Sequence, residues 1–200
     1  MKIMHISTRL ILGGSQENTV FSCAGQADAG NEVSLVFGPI EGPEGTMLPA
    51  VREHGGIETI ETPNLIRELS PRRDLRCVAE LRSIIRDHRP DVVHTHSSKA
   101  GVLGRAAAWR EDVPAVIHTI HGLPFHPYQS RSKNAIYIAA ERWAARRCHE
   151  IVTVADAMRD QALAAGVGRP SQFKTVRSGM IVEPYLDDSR STIETRRTLG

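Results

Sequence analysis

Short apolar runs alternate with longer amphipathic stretches along the whole chain. Runs rich in β-branched residues occur at Lys2–Ser7, Glu32–Phe37, Gly56–Glu61, Asp91–His96, Ala115–Ile120, Glu150–Val154 and Lys174–Arg177. Each is four to six residues long and bounded by turn residues, the pattern of a buried strand. Between them lie segments with helical spacing: Gln16–Ala29, Met47–His54, Ser70–His88, Lys99–Arg110, Ser132–Cys148 and Asp156–Ala165. Gly30-Asn31, Gly55-Gly56 and Gly166 supply stops, and Pro71 stands at a first helical position after Ser70. In the third helix Leu75, Val78, Ala79, Leu81, Ile84 and Ile85 are expected to form one apolar face. In the fifth, Ile136, Ala140, Trp143 and Ala144 are expected to do the same.

Strictly alternating strands and helices predict an α/β fold with a mostly parallel sheet and helices on both faces. Strands this apolar need cover on each side. In such sheets ligands bind beyond the carboxyl ends of the strands, at the point where the strand order reverses. The segment from Pro90 to His126 matters most here, because two strands end in histidines: His94 and His96 in one, His118 and His121 in or after the next.

The chain has 200 residues, long enough for one domain with a sizeable core. A formal net charge of +2 and 4% aromatic residues give no reason to expect nucleic acid as a partner. Three isolated cysteines without a CxxC spacing predict a reducing compartment. MKIMHIST lacks the features of a signal peptide, and no apolar run reaches the roughly 20 residues of a membrane span. A cytoplasmic protein is expected.

Candidate chemistry sits in four places. Gly13-Gly14-Ser15-Gln16 joins the first strand to the first helix, where free amides favour an anion such as phosphate. It is not the GxGxxG fingerprint, and no acidic residue clearly ends the second strand, so a nicotinamide cofactor is disfavoured; the plain alternative is a tight turn. His94 and His96, two apart in a strand, share a face. Zinc needs three or four suitably placed ligands, so no metal is expected, and core or rim histidines are the simpler reading. His121, before Gly122, is placed to relay a proton or make a hydrogen bond near neutral pH. Arg67, Arg72, Arg73, Arg76, Arg82, Arg86 and Arg89 cluster around one helix, as a solvated face or as a basic face for an anionic membrane.

Taken in order, GGSQE, PDVVHTHSSKAGVLGR, VIHTIHGLPFH, ERWAARRCHEIVTVADAMRD and FKTVRSGMIVEPY resemble the N-terminal domain of the family 4 glycosyltransferases, the retaining GT-B enzymes. The resemblance covers essentially the whole chain and is nearest to the branch that builds exopolysaccharide or lipid-linked saccharides. It implies a Rossmann-like N-terminal half, over residues 1–188, facing a C-terminal donor-binding domain, with residues 189–200 beginning the connection to it. It implies transfer of a sugar from a nucleotide-sugar to an acceptor hydroxyl with retention, no cofactor besides that donor, and little activity for this half alone. His121 is implied as the catalytic histidine. Gly13, Gly14 and Ser15 are implied near the donor diphosphate; Gln16, His96, Ser97 and Lys99 on the acceptor side; Arg177, Ser178 and Gly179 on the cleft rim. Ser178 and Ile181 stand where the family usually has Asn and Asp. The implied partners are the nucleotide-sugar, a saccharide or lipid-linked acceptor, the chain's own C-terminal domain and, peripherally, the inner face of a membrane. A nucleotide-sugar epimerase of the same shape, a histidine-ligated metal hydrolase and a non-catalytic sugar-binding module are the competing readings.

Overall fold

The computed structural model describes residues 1–40, 43–182, 186 and 196–198. The expected alternation is present in full: β1 (Lys2–Ser7), α1 (Gly14–Asp28), β2 (Glu32–Phe37), α2 (Leu48–His54), β3 (Ile57–Glu61), α3 (Pro71–His88), β4 (Val92–His96), α4 (Ser98–Arg110), β5 (Ala115–Ile120), α5 (Arg131–Ala145), β6 (Glu150–Thr153), α6 (Asp156–Ala164) and β7 (Phe173–Thr175). The strands form one sheet in the order β3-β2-β1-β4-β5-β6-β7, every pairing parallel. The chain winds outward from β1 to β3, returns to place β4 beside β1, and then winds the other way. The order therefore reverses between β1 and β4, and the crevice above their carboxyl ends is where such sheets take ligands.

Residues on the two sheet faces alternate, and each face meets its own helices. Met4, Ile6 and Val93 pack with Leu81 and Ile85 of α3 and Ala100, Ala107 and Ala108 of α4. Leu35 and Val33 pack with Val20 and Cys23 of α1. The far end of the sheet is closed by Ile151 and Phe173 against Ala145 and Ala162. α4 lies unusually close to the strands. A Cβ on Gly101 would stand 2.5 Å from the His118 ring, and one on Gly104 would stand 2.7 Å from Thr95 Cγ2. Those two glycines let the helix backbone press against β4 and β5.

Two expected helix faces are corrected. In α3 the buried stripe is Cys77, Leu81 and Ile85, flanked by Val78 and Ile84. Leu75 is 74% exposed and Ala79 is exposed as well. At about 100° per residue, positions two before and two after Cys77 fall on the opposite side of the helix. In α5 the buried residues are Glu141, Ala144 and Ala145, and Ile136 is left in solvent. The last strand begins one residue earlier than expected and ends at Thr175, so Arg177 lies beyond it. The boundary near residue 188 and the tail expected over Ser189–Gly200 fall outside the described residues, Arg196–Thr198 excepted. Among the described residues no helix is long and apolar enough to cross a membrane.

Candidate functional site

The crevice is built on three strand ends. At the end of β1, Thr8 Oγ1 lies 2.7 Å from Ser97 Oγ, at the end of β4. The Thr8 N–H donates to Ser97 Oγ at 3.3 Å, and the Ala100 N–H donates to Thr8 Oγ1 at 3.1 Å. These bonds clasp the first turn of α4 to β1. They also hold Ser97 at φ 61°, ψ 157°, a region that essentially only glycine occupies freely and that costs of order 1–3 kcal/mol. Strain of that kind persists where the surroundings over-determine a backbone, and it concentrates at working sites.

Next to this clasp lies a cluster of imidazoles. His5 pairs in register with His94, so His5, His94 and His96 share one sheet face. Thr119 and His121 continue that face from β5, whereas His118, paired with Thr95, points to the other. His5 Nδ1 lies 2.9 Å from His96 Nε2, and His96 Nδ1 lies 3.1 Å from His121 Nε2. On the inner side, His5 Nε2 meets Gln26 Oε1 of α1 at 2.7 Å. His94 Nε2 is bound separately to Thr119 Oγ1 at 2.7 Å. Burial lowers the pKa of His5 to about 4 against the smaller opposing effect of its Gln26 hydrogen bond, and burial lowers His121 to about 4. Burial first, then the neighbouring imidazoles, holds His94 and His96 well below the ordinary value. All four rings are neutral at pH 7.

The other face carries a buried ion pair. Arg105 of α4 donates from Nη2 to Glu141 Oε2 of α5 at 2.7 Å and from Nε to the Gly101 carbonyl at 2.7 Å. His118 packs beside it, with Nδ1 3.0 Å from Thr95 Oγ1. Burial, then the Arg105 charge, holds His118 well below its ordinary pKa.

The sequence profile of the glycosyl transferase 4-like domain matches residues 13–179. The chain belongs to this glycosyl transferase 4-like family. It is 29% identical over 123 residues to the UDP-Gal:alpha-D-GlcNAc-diphosphoundecaprenol alpha-1,3-galactosyltransferase of Escherichia coli, a match spanning 62% of this chain and 32% of that enzyme. The fold is similar to that of the apo lipopolysaccharide outer core galactosyltransferase WaaB, with a TM-score of 0.66 and 14% identity over 92% of this chain and 47% of that one. It is also similar to the UDP-GlcNAc 2-epimerase of Neisseria meningitidis, with a TM-score of 0.61 and 13% identity over 88% and 45% of the two chains. The chain thus spans about a third of the curated relative and about half of these solved structures.

Within the glycosyl transferase 4-like domain, a cavity of about 430 Å³ opens beside the β1–β4 clasp and is lined by Gln16, Ser97 and Lys99 together with Thr8, Arg67 and Glu141. His121 opens onto a narrow neighbouring cleft that shares Ser97, Ser98 and Glu141 with it. The structure so gathers His121, Gln16, Ser97 and Lys99. His96 needs correction as a residue of the acceptor rim: it is 2% exposed, and both its ring nitrogens face other histidines. It stands behind His121 and lines neither cavity. Lys99 Nζ is already engaged by the Asp74 carboxylate and the Glu68 carbonyl. It lines the cavity as half of an ion pair.

Gly13 and Gly14 are exposed at the start of α1, outside both cavities. A Cβ on Gly14 would meet nothing within 4 Å among the described residues outside its own turn of helix, so packing there does not require a glycine. Ser15 Oγ donates to Gln16 Oε1 at 2.8 Å, which leaves the first amides of α1 without a side-chain cap. Arg177, Ser178 and Gly179 are exposed after β7, three strands from β4, or about 14 Å at the usual spacing. The structure does not bring them to the cavity.

Sequence reasoning missed His5, Gln26, Thr8 and Glu141. His5 follows the same every-second-residue rule as His94 and His96, but its place beside them depends on β1 and β4 being neighbours. His5, His94 and His96 offer nitrogens within 4.8 Å of one another, the one such grouping among the described residues. An ion there would have to break the His5–His96 hydrogen bond, and no carboxylate or thiolate joins the set. The three cysteines are buried and free, and burial pushes Cys23 and Cys77 up to about 12 and Cys148 to about 11. None is suited to nucleophilic work.

Proposed function

We propose that this domain is the acceptor-side half of a retaining glycosyltransferase that moves a sugar from a nucleotide-sugar to an acceptor hydroxyl in the synthesis of a lipid-linked or exported saccharide. The observation that carries the reading is His121, held at the carboxyl end of β5 beside a cavity at the switch point of a domain of this family. His121 touches the reacting sugar or the attacking hydroxyl. Gln16, Ser97 and the Lys99–Asp74 pair line the space for the acceptor. The amides that open α1, at Gly13, Gly14 and Ser15, face the departing diphosphate, where a helix N-terminus stabilises developing negative charge. Most of the donor is held by a second domain, and Arg177, Ser178 and Gly179 stand on the rim toward it. The donor serves as substrate, and no further cofactor takes part.

The cavity edge also suggests how a lipid-linked acceptor arrives. Arg67 and Leu69 line it, and Leu69 and Leu75 are exposed next to Arg72, Arg73 and Arg76 at the start of α3. Cations around protruding apolar side chains suit the anionic inner face of a cytoplasmic membrane. By contrast, Arg82 and Arg86 farther along α3 are occupied by Glu111, at 2.5 and 3.0 Å.

The test is an assay of the full-length protein with UDP-Gal and a GlcNAc-diphosphoundecaprenol acceptor, the pair named for the E. coli relative, beside other nucleotide-sugars. Transfer with the donor's anomeric configuration kept in the product is expected from at least one donor. Inverted product would refute retention. Donor epimerised without transfer would refute the transferase reading.

A further inference from the structure

Gln26, His5, His96 and His121 form a single line of contacts, 2.7, 2.9 and 3.1 Å long. The ring centroids along it are 5.2 and 5.4 Å apart, with interplanar angles of 15° and 28°. Those separations are what edge-to-edge imidazoles give, since two nitrogens about 3 Å apart add about 1.1 Å of ring at each end. The rings are therefore hydrogen-bonded in line and are not stacked face on face.

A neutral imidazole has one N–H and one lone pair. Each ring inside such a line must donate at one nitrogen and accept at the other. The line then has a direction, and its inner end sets it. Gln26 meets His5 through its carbonyl oxygen, which can only accept. His5 thus carries its proton on Nε2 and offers Nδ1 as a lone pair. His96 donates to it from Nε2 and accepts at Nδ1. His121 donates to His96 from Nε2. The ring nitrogen left over is His121 Nδ1, which has no hydrogen-bond partner among the described residues.

We propose that Gln26, His5 and His96 are positioning residues that lock His121 in its Nε2–H tautomer, so that Nδ1 faces the cleft as an acceptor for a substrate hydroxyl. This rests on the placing of His121 at the reaction centre. It also narrows what His121 touches. A lone pair aimed at the cleft welcomes an O–H from a sugar or an acceptor and repels a phosphate oxygen, so the diphosphate stays on the α1 side. Burial keeps every ring in the line neutral at pH 7. A second proton on His5 or His96 would set two N–H groups against each other. His94 stands outside the line, bound to Thr119.

The experiment is a long-range ¹H–¹⁵N spectrum of the full-length protein, labelled with ¹⁵N at histidine, at pH 7 and without substrate. One-bond coupling marks the nitrogen that carries a proton. The expected result is Nε2–H on His5, His96 and His121, with a coupling across the His5–His96 bond. A proton on Nδ1 of His121 overturns the proposal whatever the activity. Gln26→Leu removes the acceptor at the inner end, and a second His121 signal protonated at Nδ1 is expected. Gln26→Glu, which only accepts, should keep the single Nε2–H form. If His121 stays wholly Nε2–H in Gln26→Leu, the line does not set its tautomer and the proposal fails. Normal turnover in His121→Ala is a separate result: it would remove His121 from the reaction centre while leaving the spectrum of the parent protein as it is.

Discussion

Replacing Glu141 by alanine should be the most damaging single change on the α4–α5 side of the sheet. The Arg105 side chain is fully buried, and the Glu141 side chain is 4% exposed. Arg105 uses Nε on the Gly101 carbonyl and Nη2 on Glu141, while Nη1 has no partner among the described residues. Glu141→Ala leaves a guanidinium in the interior with one acceptor, and stranding one member of a buried pair costs about 3–5 kcal/mol. A domain has about 5–15 kcal/mol in total. For 150–250 residues each kcal/mol moves the midpoint by about 2–4 °C, so a fall of roughly 6–20 °C is expected. The pair itself adds little over an apolar substitute, because desolvation offsets its attraction and one nitrogen is unsatisfied already. Arg105→Met with Glu141→Leu should recover most of the loss. The assay is thermal and urea unfolding followed by the fluorescence of Trp109 and Trp143, which sit on the two helices that the pair joins. A Glu141→Ala cost under about 1 kcal/mol, or a double variant no more stable than the single one, would refute the reasoning.

Four further outcomes are expected. His121→Ala in the full-length protein lowers turnover by about 10²-fold or more, the usual range for a positioned proton-handling group, with folding unchanged by circular dichroism; near-normal turnover would remove it from the reaction centre. Acid weakens the domain, because a His5 pKa of about 4 when folded against 6.5 when unfolded makes the unfolded chain bind more protons between those values. That stability is complete above pH 6.5 and is lost as pH falls toward 4, by about 3 kcal/mol at His5 alone, with His94, His96, His118 and His121 shifted in the same direction; flat stability from pH 7 to 4.5 in urea titrations would contradict it. Gly101→Ala drives a methyl group into a His118 ring fixed by Thr95 and should cost about 1–3 kcal/mol of overpacking by the same unfolding assay. Protein purified without added metal should carry no stoichiometric zinc by elemental analysis, and a one-to-one content would reassign His5, His94 and His96 as ligands.

The elements were legible because strands of four to six residues broken by Gly, Asn and Pro leave little freedom in where they start and stop. β1, β2 and β5 fall on the expected residues. What a segment faces was harder to read. Apolar spacing alone groups Leu75 and Ala79 with Leu81, although they project from the other side of α3, and only its packing against α4 shows which stripe is inside. The site was legible where it lies within one βαβ unit: His94 and His96 on one face, His121 at the next strand end. It was not legible where it crosses the sheet. Thr8 meets Ser97, and His5 meets His96, across about ninety residues of chain, so local spacing says nothing about them. The strain at Ser97 has no sequence signal, since serine is an unremarkable residue before a helix.

The pairing of β1 with β4 has a consequence for how the chain acquires its crevice. Ile3 pairs with Val92 and Ile6 with Thr95, so the contact closes a loop of some ninety residues that contains two strands and three helices. Loop closure of that span is entropically dear and slow compared with local winding. β1, α1 and β2 assemble from neighbouring sequence, while Thr8 waits for Ser97 to be made and delivered. The histidine line spans the same seam, from Gln26 and His5 to His96 and His121. During synthesis its His5–His96 and His96–His121 links cannot form until β4 has left the ribosome and docked. Until then β1 shows an unpaired edge with His5 at its middle, a row of free backbone groups open to pairing with another chain.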